Sequence, residues 1–109
     1  MKLEREEAVR LHRQMWSDMQ AQLGDTPSYP DRAIFKSKWC EEHFPGEKIA
    51  HSCFLCEYDD QFSGLCDRCP IAWPDGDCCG RGVLPRYKRV NYRTSPISMI
   101  LALPEREDV

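Results

Sequence analysis

Apolar residues return at steps of three and four along the first segment of the chain. Ala8, Leu11, Met15, Trp16, Met19 and Leu23 are separated by Glu, Arg and Gln, the pattern of an amphipathic helix with one core-facing stripe. Gly24 suits the left-handed position past a helix end, and Pro27 forbids continuation. A second helix is predicted from about Pro30-Asp31, where proline is tolerated in the first turn and the aspartate meets the positive end of the helix dipole. Ile34, Phe35, Lys38, Trp39 and Glu42 share a face of that helix that is only partly apolar, and Phe44-Pro45-Gly46 ends it. Cys40 lies inside it and reads as a small buried apolar residue.

Periodicity then disappears. Between His51 and Gly82 the chain is broken by Gly64, Pro70, Pro74, Gly76, Gly80 and Gly82, too often for long helices or strands. From Val83 to Thr94 it is basic, with Tyr87, Val90 and Tyr92, which fits a short strand or an extended arm. Ser95-Pro96 reads as an N-cap and a first-turn proline. Ile97, Met99, Ile100, Leu101 and Leu103 then form a short helix stopping at Pro104, with a strand as the alternative.

At 109 residues the chain has room for one domain with a modest core. Its uncharged run from Thr94 to Pro104 is too short to cross a bilayer, and its acidic N-terminus does not look like a secretory signal. Expected localisation is therefore cytoplasmic. The net charge of −3 is unevenly spread: residues 41–77 hold nine acids and two bases, whereas residues 78–104 hold five bases and no acid. Such asymmetry points to partners chosen by charge.

Seven cysteines are present, six of them between Cys53 and Cys79. Cys53-Phe-Leu-Cys56 and Cys66-Asp-Arg-Cys69, nine residues apart, can aim four thiolates at one ion, and a closed tetrahedral sulfur shell favours Zn2+; an iron–sulfur cluster is the main chemical rival, and reactive thiols or disulfides are the alternative to a metal. Cys78, Cys79 or His51 could replace one ligand. Phe54, Tyr58, Phe62, Leu65, Ile71 and Trp73 would form an apolar jacket. Four sulfurs leave no open position for water, so such a zinc would be a staple rather than a catalyst. No phosphate-cradling glycine loop, H-E-x-x-H or G-x-S-x-G occurs; an enzyme is not expected.

The stretch Cys53-Phe-Leu-Cys-Glu-Tyr58, followed by Cys66-x-x-Cys-Pro-Ile-x-Trp73, resembles small cysteine-rich proteins encoded by phages and prophages of Gram-positive bacteria, as does Ile100-x-Ala-Leu-Pro-Glu-Arg106. Some proteins of that kind resemble anti-CRISPR inhibitors of type II-A Cas9. The resemblance implies a cytoplasmic inhibitor, acting in the bacterial host, that binds Cas9 or another host nuclease and interferes with guide or target nucleic acid. Glu57, Asp59, Asp60 and Asp67 would then form an acidic lobe competing for a basic channel. Two alternatives stand: a zinc-ribbon-like nucleic-acid-binding phage regulator using the charges and stacking rings of Arg81, Arg86, Tyr87, Lys88, Arg89, Tyr92 and Arg93, or a structural phage protein. Direct nucleic-acid binding is the less favoured because acids surround the cysteines.

The expected fold is a small α-rich (α plus irregular) single domain. It comprises a helical part (1–44), a zinc-stapled, loop-rich four-cysteine module (51–82), and a basic arm with a short C-terminal helix (83–109).

Overall fold

The computed structural model describes residues 2–49, 53–59, 61–62, 69–73 and 90–107. Among the described residues there are four helices and no strand: α1 (Arg5–Leu23), α2 (Tyr29–His43), α3 (Phe54–Asp59) and α4 (Ile97–Leu101). α1 packs against each of the other three. No helix of the described residues is long and apolar enough to cross a membrane.

The sequence pattern of α1 translates directly into its central place. Ala8, Val9, Leu11, His12, Met15, Trp16 and Met19 are buried, a stripe wide enough to serve three neighbours. Gly24 ends the helix at φ +84°, where a side chain would be strained, and its N–H bonds Gln20 O at 2.9 Å. α2 opens with Ser28, whose Oγ accepts from the Asp31 N–H at 3.3 Å, and Pro30 lies in its first turn.

The buried face of α2 differs from the expected one. Arg32, Lys36, Trp39 and Cys40 are inside, while Ile34 is 54% exposed. Trp39 from the expected face is buried and Phe35 packs against the core, but Arg32 and Lys36 take core-facing positions that counting apolar residues does not reveal. Cys40 is buried, and burial raises its thiol pKa above the ordinary value.

α3 was not expected at all. Its first bond is Glu57 N–H to Cys53 O at 3.2 Å, and six residues are too few for an amphipathic period to register. Phe54 and Leu55 are fully buried. Phe54 meets the edge of Trp39 with ring centres 5.5 Å apart and tilts against Phe44 at 5.6 Å. At the other end of the chain the helical reading of 97–101 is correct, but its cap is not Ser95. The Ser95 Oγ accepts instead from Asn91 N–H at 2.9 Å. Asp25, more than seventy residues away, caps α4: its two carboxylate oxygens accept from Ser98 N–H at 2.7 Å and from Ser98 Oγ at 2.9 Å. Its backbone carbonyl accepts from Ile97 N–H at 2.8 Å. The Ser98 bonds and one from Gln20 hold the Asp25 carboxyl below its ordinary pKa.

Among the described residues no zinc-stapled four-cysteine module of the expected kind is found. Residues 69–73 are held by burial of Cys69, Pro70, Ile71 and Trp73 and by pairing with the C-terminal stretch. Ala72 N–H bonds Pro104 O at 2.9 Å, Arg106 N–H bonds Pro70 O at 2.7 Å, and Ile71 forms an antiparallel bridge with Glu105. Within the expected jacket Ile71 and Trp73 are buried, but Phe62 is 53% exposed; Leu65 lies outside the described residues.

His12 sits at the junction of α1 and the 69–73 segment, edge-on to Trp73 with ring centres 6.2 Å apart. Its Nε2 is buried with no hydrogen-bond partner among the described residues, as is Trp73 Nε1. Desolvation, helped by the charges of Lys36 and Arg13, lowers its pKa from 6.5 to about 3. The folded protein therefore keeps His12 neutral while the unfolded chain takes up a proton below pH 6.5, so stability is full above that pH and falls as the pH drops toward 3. The His12 contribution to the slope should approach about 1.4 kcal/mol per pH unit. Urea unfolding from pH 7 to pH 4 should show this loss in the wild type, and His12→Leu should flatten it.

Candidate functional site

The expected metal ligands divide between described and undescribed residues. Cys53, Cys56 and Cys69 are described and are thiols; Cys66, Cys78, Cys79 and His51 lie outside the described residues. Among the described residues no group of three or more His, Cys, Asp or Glu side chains is placed to hold a metal ion. The Zn2+ expectation is corrected accordingly. Cys53 and Cys56 face each other at the start of α3, whereas Cys69 belongs to the segment tied to the C-terminal stretch, where its carbonyl lies 3.4 Å from Arg106 Nη1. The side-chain hydrogen bond with Cys56, followed by burial, raises the pKa of Cys53 well above the ordinary value.

The expected acidic lobe also looks different from within the fold. Glu57 and Asp59 are 8% and 3% exposed, turned into the protein rather than displayed on it. Asp60 and Asp67 lie outside the described residues.

Surface depressions among the described residues carry polar groups. One, between α1 and α2, encloses about 160 Å³ and is lined by Asp18, Phe35, Lys38, Trp39 and His43, among others. Trp39 Nε1 donates to Asp18 Oδ2 at 2.8 Å, and the His43 ring stacks on Trp39 at 3.7 Å. His43 Nδ1 lies 2.9 Å from Trp39 O; with a carbonyl as its partner, that nitrogen is the donor and Nε2 faces outward. The space is well below that of an ordinary ligand pocket, so these contacts clamp α2 to α1. The second depression, about 490 Å³, runs along Glu6, Arg10, Arg13, Ser17 and Glu105. Its charges are mixed, and Arg5 pairs with Glu105 at 2.9 Å.

A third feature is a surface stack held from beneath by buried polar groups. Arg32, 1% exposed, donates from Nε to Pro27 O at 2.9 Å and from Nη1 to Ser95 O at 2.6 Å and Tyr92 O at 3.4 Å. Inside the loop so held, Asn91 Oδ1 accepts from Arg93 N–H at 2.9 Å, Thr94 N–H at 2.8 Å and Thr94 Oγ1 at 3.2 Å, an Asx turn that fixes the next three residues. Lys36 Nζ lies under Tyr92, 4.8 Å from the ring centre, and 5.6 Å from that of Trp16. Above it the exposed Arg93 guanidinium sits 5.4 Å from the ring centres of both Tyr92 and Tyr29, and its Nε donates to the Tyr92 hydroxyl at 3.1 Å. Tyr29 meets Tyr92 edge-on at 6.3 Å and is 44% exposed. Two aromatic rings and a cation are thus fixed at the surface by a buried scaffold. The basic and aromatic composition of 83–94 hints at this, but the partner ring from α2 and the buried arginine could be found only in three dimensions.

No family model, curated protein or solved structure matches this chain. The resemblance to small cysteine-rich phage proteins is therefore not upheld. The functions inferred with it, Cas9 inhibition, zinc-dependent phage regulation and a structural phage role, lose their support together with the metal site.

Asn91→Ala should destabilise the protein by about 2 kcal/mol, since it leaves two backbone N–H groups without their acceptor. It should also abolish the Tyr29–Tyr92 nuclear Overhauser contact. Asn91→Asp keeps the acceptor and should preserve that contact.

Proposed function

We propose that this chain is a non-catalytic protein-binding domain of a reducing cytoplasm, and that it docks through Tyr29, Tyr92 and Arg93 onto a short acidic segment of a partner protein. The observation that carries this reading is the fixed stack of Arg93 against two tyrosine rings, one of them 44% exposed. Tyrosine and arginine dominate the energetics of protein interfaces, and groups already ordered before binding lose less entropy on contact. Arg93 and Lys36 bring positive charge to the patch, and residues 78–104 contain no acid, so a carboxylate-bearing partner complements it. A long phosphate backbone fits less well, because the chain as a whole carries −3 and would repel it away from the patch.

A benzophenone amino acid placed at Tyr29 should cross-link a protein in producing cells. Once that protein is purified, Tyr29→Ala and Arg93→Glu should each weaken its binding at least tenfold, about 1.4 kcal/mol, and rising salt should weaken the wild-type complex. Glu41→Ala, on an exposed part of α2, should leave affinity within about twofold. Cross-linking to nucleic acid, or unchanged affinity in both patch variants, would refute the proposal.

A further inference from the structure

The contact between His12 and Trp73 plays no part in the binding surface, and it brings together two polar atoms, His12 Nε2 and Trp73 Nε1, that have no hydrogen-bond partner among the described residues. Both residues are buried. Their rings meet edge-on with centres 6.2 Å apart, and the Trp16 ring centre is 6.5 Å from that of His12. Unbonded polar groups favour any local opening that lets water reach them. The segment that carries Trp73 is also the one built to move. α1 and α2 are continuous helical ladders, whereas residues 69–73 join the C-terminal stretch through Ala72 N–H to Pro104 O at 2.9 Å, Arg106 N–H to Pro70 O at 2.7 Å, and the bridge between Ile71 and Glu105.

The charges around His12 act in the same direction. Arg13 on α1 and Lys36 on α2 both oppose a positive imidazole. α3 carries the buried acids Glu57 and Asp59, but neither is among the charges that act on His12. α4 has no titratable side chain, and residues 69–73 contribute Cys69 alone. In the C-terminal stretch the Glu105 carboxylate is turned to Arg5 at 2.9 Å and Arg13 at 3.7 Å. An imidazolium formed in place would therefore face cations, with no acceptor for its Nε2 proton among the described residues.

We infer that residues 69–73 and 104–106 form an acid-released clasp over His12, which opens as a unit when the imidazole takes up a proton, while α1 and α2 stay folded. Opening gives water to both unbonded nitrogens and uncovers the apolar side chains of Ile71 and Trp73, so the protein shows a different surface in acid. Glu105 is the other group of the clasp that can titrate, and its ion pairs are exposed enough to be tested apart from His12.

Native-state hydrogen exchange on the full chain, with rates corrected for the intrinsic effect of pH, reads the opening directly. The Ala72 and Arg106 amides should exchange roughly tenfold faster or more than those of Met15 and Trp16 at each pH, and without dependence on dilute urea, as befits an opening that exposes little area. From pH 7 to pH 5 they should lose about 25-fold in protection, the fall expected when one histidine has a pKa of 6.5 in the open segment and about 3 in the closed one. Glu105→Gln should keep that fall, and His12→Leu should abolish it. Exchange of Ala72 and Arg106 at the rate and urea dependence of α1 would overturn the inference, since the segment would then open only on global unfolding. A fall that disappears in Glu105→Gln or persists in a folded His12→Leu protein would overturn it too. If His12→Leu does not fold, the wild-type His12 ring-proton resonance decides: titration near pH 6.5 with the two amides still protected would mean that the proton enters without opening the clasp.

Discussion

The guanidinium of Arg32 is buried and bonded to three backbone carbonyls that the chain delivers from two distant places. Pro27 O comes from the α1–α2 connection; Tyr92 O and Ser95 O come from the loop before α4. Arginine suits the task because it carries five donors in a rigid fork and cannot escape its desolvation by losing a proton. Bonds from a charged donor contribute roughly 1.5–3 kcal/mol each, which offsets the cost of burying the cation. Asp25 closes the same junction from the other side by capping α4; burial lowers the Arg32 pKa, and the charge of Asp25 opposes that shift. Loop, cap and helix are thereby assembled as one piece, and the Tyr29–Tyr92–Arg93 stack is the outer surface of that piece.

The junction accounts for what could and could not be read in the sequence. The period of α1, its glycine stop, the Pro30 entry to α2 and the helical nature of 97–101 depend on neighbours in sequence, and they are visible there. The inward face of α2 depends on where Arg32 and Lys36 find partners. An arginine satisfied by carbonyls sixty residues away, or a lysine seated under a tyrosine ring, carries no local signature. Capping shows the same division. Ser28 serves its own helix, accepting from the Asp31 N–H three residues on. Ser95 does not, because Asp25 reaches the α4 N-terminus with a stronger, charged acceptor.

The cysteine-rich segment misled for a related reason. Paired C-x2-C spacing permits a four-sulfur shell but does not require one, and the described part of the segment has other means of support. Phe54 and Leu55 bury themselves beside α1, and residues 70–72 pair with 104–106. What the spacing did encode is local: two thiols facing each other across the first turn of α3. Acids beside them were expected to face a partner, yet burial turns Glu57 and Asp59 inward, so the outward charge of the described surface is not the charge profile of the chain.

The account rests on Arg32 coupling the 90–96 loop to α4, and native-state hydrogen exchange in wild type and Arg32→Met tests that most directly. The amides to follow are Asn91, Thr94, Ile97 and Ser98, whose acceptors are Ser95 Oγ, Asn91 Oδ1, Asp25 O and Asp25 Oδ1. All four should lose protection together in the variant, by roughly a hundredfold for a loss near 3 kcal/mol, while Met15 and Trp16 in α1 keep most of theirs. If loop and α4 amides kept wild-type protection in a folded Arg32→Met protein, or lost it independently of one another, the buried guanidinium would not be the element on which this structure depends.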